Sequence, residues 1–192
     1  MLPETFNAVN TLTSIRNLQN KVVEFLINNN DELWKLLYYP DNDAPYKPNL
    51  TKDEKRKLIY KGEEDESPYR VFLQSYQDDL VEERQSRMYV DIHRIKPITI
   101  QQSIVTISIE IMSANKILTL TDGTNRNTLL LQNIISTLNG QDFGGITYLT
   151  FCYDNNGDIA LYQQSDKKMY SGFKILMSCQ VSNLNDSIEM DC

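Results

Sequence analysis

Residues 97–112, PITIQQSIVTISIEIM, constrain this chain more than any other stretch. Val105, Ile107, Ile109 and Ile111 fall on one face at a period of two, and Thr106, Ser108 and Glu110 fall on the other. That alternation, carried mostly by β-branched residues, is the pattern of a strand with one face in a core. The run is long for a strand, and strand-like segments lie on both sides of it. The expectation is the centre of an antiparallel sheet.

The flanking segments follow the same period. Met88, Val90 and Ile92 alternate with Tyr89, Asp91 and His93, and Phe173, Ile175, Met177, Cys179 and Val181 alternate with Lys174, Ser178 and Gln180. Residues 71–76, 146–153 and 159–164 are shorter strand candidates, and residues 77–85 read as a polar loop. Pro97 lacks an N–H and is expected at a strand start or a bulge. Between the strands, Asp122-Gly123-Thr124-Asn125 and residues 154–158 read as turns. Leu129, Leu130, Leu131, Ile134, Ile135 and Leu138 have helical spacing, with Asn125 or Asn127 as N-cap and Gly140 just past the end.

Before the sheet the period changes to three and four. Residues 11–30 read as an amphipathic helix through Leu12, Ile15, Leu18, Val22 and Leu26, ended by Asn28-Asn29-Asn30. Asp31 is expected to cap a second, short helix carrying Leu33, Trp34, Leu36 and Leu37, which Pro40 stops. Pro40, Pro45 and Pro48 favour an extended path. Thr51 and Glu54 match a capping box, which predicts a charged surface helix to about residue 60. Residues 61–68 form an acidic linker. The expected organisation is an N-terminal helical segment and Pro-rich arm over 1–62, an α+β sheet domain over 63–183, and a disordered acidic tail over 184–192. The fold class is α+β, N-terminal helices followed by an antiparallel sheet with one helix packed on one face.

A length of 192 residues supports one sizeable core. The net charge of -7, with no basic run of five, disfavours general nucleic-acid binding. No apolar run is long enough to cross a bilayer. The start, Met1-Leu2-Pro3-Glu4, lacks a signal-peptide pattern, and a cytoplasmic protein is expected. Cys152 and Cys179 fall in strands and read as buried thiols, while Cys192 is the last residue.

The chemistry-bearing residues are sparse. His93 is the single histidine and shares a strand face with Asp91. General acid–base work would need a nucleophile and an orienting partner in reach, so an edge-strand histidine is the stronger reading. A zinc site would lack ligands. Residues 154–158 resemble the start of a calcium loop, but the twelfth position is Ser165 rather than a glutamate. The glycines of residues 140–145 follow a helix rather than a strand, the wrong setting for a phosphate cradle. No catalytic, cofactor-binding or metal-binding residue is assigned, and an enzyme is not expected. Of the eleven tyrosines, Tyr38, Tyr39 and Tyr46 are the candidate partner contacts.

Residues 29–45, NNDELWKLLYYPDNDAP, followed by residues 48–55, PNLTKDEK, resemble structural proteins of large tailed bacteriophages. In these neck or tail-completion components a helical leader with a similar ending precedes a similar helix start. The later strands and the helix ending in Leu138-Asn139-Gly140 are similar to the tail-terminator fold. The resemblance covers most of residues 12–181. It implies a non-enzymatic virion protein, assembled in the bacterial cytoplasm, that forms a ring, a hexamer in tail terminators, at the head–tail junction. The implied partners are copies of itself and other neck, tail tube, sheath or portal-adaptor proteins. DNA is implied only as passing cargo, and no cofactor or membrane is implied. The alternatives are a portal-side adaptor or head-completion protein, a small soluble enzyme or regulator with a scattered site including Asp91 and His93, and a monomeric host-directed binding protein.

Overall fold

The computed structural model describes residues 8–62, 68–75, 84–99, 102–144, 147–151, 160–163 and 169–182. The acidic run 63–66, most of the expected 77–85 loop, the 154–158 turn, Cys152, Cys192 and the 184–192 tail lie outside the described residues.

Helix α1 (Ala8–Asn29) buries Leu18, Val22, Val23, Leu26 and Ile27 along one stripe. Helix α2 (Asp31–Tyr38) begins one residue beyond its cap, which is Asn30 and not Asp31. Asn30 is the residue left extended when α1 stops, so its Oδ1, not that of Asp31, accepts the Leu33 N–H at 2.8 Å. Asp31 and Glu32 instead place negative charge in the first turn, where the helix dipole favours it. After α2 the chain does not stay extended. A 3₁₀ turn over Ala44–Tyr46 forms, with Lys47 between Asp43 at 3.1 Å and Asp41 at 3.7 Å.

Helix α3 (Lys52–Lys57) carries the capping box at Thr51 and Glu54. It stops short of residue 60 because the chain turns into the sheet edge, where the Tyr60 N–H donates to Val71 O at 2.9 Å. It is also not purely a surface helix. Lys55 is buried, its Nζ 2.7 Å from Ile27 O and 2.6 Å from Asp31 Oδ1. That ammonium supplies a donor to a C-terminal carbonyl of α1 that the helix itself leaves unpaired.

The sheet is mixed. Strand β1 (Val71–Phe72) runs parallel to β2 (Ser86–Pro97), which corrects the expectation of a purely antiparallel sheet and of a strand reaching residue 76. Ser75 has already left the ladder and bonds a β2 side chain instead. Strands β2, β3 (Gln102–Ala114) and β6 (Tyr170–Ser182) are antiparallel neighbours, with β3 in the middle. The outer edge of β6 carries β4 (Thr150–Phe151) and β5 (Ala160–Gln163). Pro97 ends β2, opposite Ser103, rather than opening the central strand. The bulge lies further back, between Ile92 and Arg94.

Helix α4 (Arg126–Leu138) is capped by Asn125, whose Oδ1 accepts the Asn127 N–H at 2.9 Å. Asn127 itself reaches to β6 and donates to Ser171 O at 2.7 Å. Gly140, at φ 80, takes the left-handed step past the helix end that other residues resist. Helices α1, α2 and α4 cover one face of the sheet. Their apolar residues form one continuous core with Met88, Val90, Val105, Ile107, Ile109, Ile111, Ile175 and Met177. The N-terminal helices therefore pack on their own sheet. Cys179 is a buried thiol in that core, as expected.

Arg126 joins these layers. Its side chain is fully buried, with Nε donating to Ile117 O at 3.0 Å and Nη1 to Leu36 O at 2.7 Å and Tyr39 O at 2.8 Å. Nη2 donates to Asp41 O. Burial pushes the guanidinium pKa down to about 10, which leaves it charged at neutral pH. Leu36 is one of the last residues of α2, so its carbonyl lacks a helical partner. Lysine offers no planar fork to span four carbonyls. R126K should therefore lower unfolding stability in urea by about 2 kcal/mol or more, since buried carbonyls lose their donors. An unchanged midpoint would remove this pin from the account.

Gly172 marks a second tight point. A Cβ there would stand 1.7 Å from the backbone O of Ile111. Only movement of one strand backbone relieves that contact. G172A should cost about 3 kcal/mol, the upper part of the range for overpacking, and denaturant unfolding of the two proteins side by side measures it.

Candidate functional site

The face of the sheet away from the helices is built by cross-strand register. Tyr89 on β2 pairs with Glu110 on β3, which pairs with Lys174 on β6. One row along, Asp91 pairs with Ser108. Alternation sends all five side chains to the same face. With Ser75 they line a groove of about 240 Å³, and His93, at the bulge, also lines it.

Each acid in the groove already has a donor. Lys174 Nζ lies 2.6 Å from Glu110 Oε1, and Ser108 Oγ donates to the same oxygen at 3.4 Å. Asp91 Oδ2 accepts from Ser75 Oγ, and its Oδ1 accepts the Ile92 N–H at 2.8 Å. Tyr89 is almost fully buried, which raises its phenol pKa and keeps it neutral. Its ring stacks on Phe72 at 5.1 Å, and the Arg87 guanidinium lies 5.4 Å from the centre of the Phe72 ring. Two carboxylates against one ammonium leave the groove one negative charge in excess.

Asp91 and His93 thus share one groove, as their common strand face implied. Among the described residues, the His93 side chain makes no hydrogen bond. The chain of nucleophile, base and orienting group that acid–base or covalent catalysis uses is not assembled around it among the described residues. Among the described residues there is also no group of three or more His, Cys, Asp or Glu set to hold a metal ion. No described helix is long and apolar enough to cross a membrane.

The three tyrosines singled out in the sequence lie in the helical layer, apart from the groove. Tyr38 and Tyr46 are exposed, while Tyr39 packs on the core and its hydroxyl donates to Pro48 O at 3.3 Å. Tyr38 leans edge-on against Tyr39 at 4.9 Å. The groove residues Tyr89, Ser108, Glu110 and Lys174 carried no functional signal in the sequence. Only the register of three strands brings them together.

This arrangement, a mixed sheet with helices on one face and a polar groove on the other, occurs in a phage-associated protein. The chain belongs to the YomW family, a family of the Bacillus phage SPbeta region, whose sequence model matches residues 30–179. The match runs from the cap of α2 into β6 and includes Arg126 and every groove residue. No curated protein and no solved structure matches the chain.

The Glu110–Lys174 pair has a measurable signature. The Glu110 side chain is 11% exposed and that of Lys174 32%. K174M leaves a nearly buried carboxylate without its cation and should cost about 2 kcal/mol, whereas the double variant E110Q/K174M should recover most of it. Urea unfolding of the three proteins tests this. A double variant no more stable than K174M would show that the pair is not the source of the loss.

Proposed function

We propose that this chain is a virion structural protein, a tail-terminator or neck subunit that forms a ring at the phage head–tail junction. The observation that carries the reading is the phage-family match over residues 30–179, which lies within the span, residues 12–181, read as similar to neck and tail-completion proteins. The architecture supports it. A rigid core holds a long β2–β3 hairpin whose end, from Arg94 to Thr99, is exposed. Exposed Tyr38 and Tyr46 offer aromatic contacts on the helical side. Contacts between unlike surfaces of neighbouring subunits close into a ring when the rotation between them closes.

In this reading the protein is not an enzyme and needs no cofactor. It is assembled in the bacterial cytoplasm and resides in the virion, with copies of itself and neighbouring neck, tail tube, sheath or portal-adaptor proteins as partners. DNA passes through the ring, and the net charge of -7 is compatible with passage without adhesion. A portal-side adaptor would use the same kind of ring at another layer.

The groove favours one reading from a different class, a small soluble enzyme or regulator, because it brings Asp91 and His93 together. H93A separates the two. Particle assembly continues unchanged if the protein is structural and fails through lost chemistry if it is not. The ring reading itself is tested by light scattering after gel filtration, alone and with purified tail or neck components. A mass near six copies is expected for a tail terminator. A protein that stays monomeric and binds none of those components would overturn the reading.

A further inference from the structure

We propose that the groove on the open sheet face receives the basic end of the β2–β3 hairpin from a second copy of this chain. The inference deepens the ring reading and rests on it only in expecting self-association.

The hairpin end differs in charge from the chain that carries it. Arg94 and Lys96 are exposed, and among the described residues neither forms an ion pair. Residues 94–99, 102–106 and 178–182, which lie level with one another at this end of the three long strands, contain no acidic residue, in a chain of net charge -7. Ile95 and Ile98, exposed at 39% and 48%, stand among these cations. Two uncompensated cations flanked by exposed apolar side chains fit a partly apolar, negatively charged socket.

The groove has those properties. Asp91 and Glu110 outnumber Lys174, and Tyr89 gives it an aromatic wall. Asp91 has bonds from Ser75 and from the Ile92 N–H and keeps free acceptor sites, because a carboxylate offers about four lone-pair positions. Its volume of about 240 Å³ falls below the roughly 300–1,000 Å³ of small-molecule sites. That size suits one long basic side chain better than a free ligand. The chain's own Arg94 forms no ion pair with Asp91 among the described residues, and its Lys96 does not reach the groove. Asp91 and Lys96 lie on one extended strand, and five residues of strand hold them about 16 Å apart. A second copy can bring its Lys96 to Asp91.

A knob and a socket on one chain can close in two ways. Reciprocal docking about a two-fold axis ends at a dimer, and head-to-tail docking continues until a ring closes. The contact pair, Lys96 against Asp91, is the same in both.

Charge reversal tests the pair. The proteins are wild type, D91K, K96D and the double variant D91K/K96D, each confirmed folded by circular dichroism and its melting temperature. Sedimentation velocity is run over a concentration series at low and high salt. Wild type should associate, and more weakly at high salt. Each single reversal should weaken association by about tenfold or more. The double variant should return close to wild type, and an equimolar mixture of D91K and K96D should associate where each alone does not. If the single variants associate as wild type does, the groove is not the socket and the ring reading stands on another surface. If the double variant and the mixture fail to recover, the pairing is wrong. If wild type stays monomeric at all concentrations, the docking proposal falls. The ring reading then survives only if tail or neck components assemble it.

Discussion

A buried guanidinium holds the helical layer to the sheet. Arg126 stands at the start of α4 and bonds carbonyls from three other segments, the end of α2, the turn after it, and the 3₁₀ turn that follows β3. A charge without a carboxylate at hydrogen-bond distance is expensive to bury. Here backbone carbonyls replace the lost water, and two of them lie at or just past the C-terminal end of α2, where the dipole is negative. Lys55 does the same for α1 through Ile27 O. Trp34 Nε1 bonds Leu26 O, one residue earlier. Carbonyls at the ends of α1 and α2 are thus met by side chains from other elements.

With the helices fixed on one face, β3 sets what the other face can be. Its ladder with β6 is continuous from Gln102 opposite Ser182 to Ala114 opposite Tyr170. Its ladder with β2 is continuous except at the bulge. A slip of one residue would exchange every inward and outward side chain. The apolar row of Val105, Ile107, Ile109 and Ile111 forbids that slip. The same register therefore places Tyr89, Glu110 and Lys174 abreast, and the close approach of Gly172 to Ile111 O reinforces it. The groove is a consequence of core packing on the opposite side of the sheet.

Local patterns were legible before the fold was known. The long strand, both neighbouring strands, the α4 helix, the capping box and the α+β class all follow from periodicity and from cap or turn residues. What was missed depends on long-range contact. Asp31 and Asn30 are both good caps, and where α1 stops decides between them. Strand β1 is parallel because the chain leaves α3 on the same edge to which β2 returns, which no local pattern encodes. Lys55 and Arg126 look like surface charges in sequence, because burial of a cation is decided by which carbonyls surround it. Asp91 and His93 were visible as one strand face, whereas Glu110 and Lys174 enter the groove only through the pairing of β3 with β6.

The hairpin end raises a question about sheet edges. Edge strands invite uncontrolled pairing, and proteins blunt them with bulges, lysines and proline. The end of β2 carries all three, in the bulge before Arg94, in Lys96 and in Pro97. Those features account for the backbone and the charge, but not for Ile95 and Ile98, since exposed isoleucines work against protection. Solubility alone would favour polar residues at both positions. An end that discourages backbone pairing yet keeps apolar and cationic side chains outward is suited to docking through side chains. That is the geometry a groove of paired acids and buried aromatic wall can accept without extending the sheet, so association can be specific and still end at a closed number of copies.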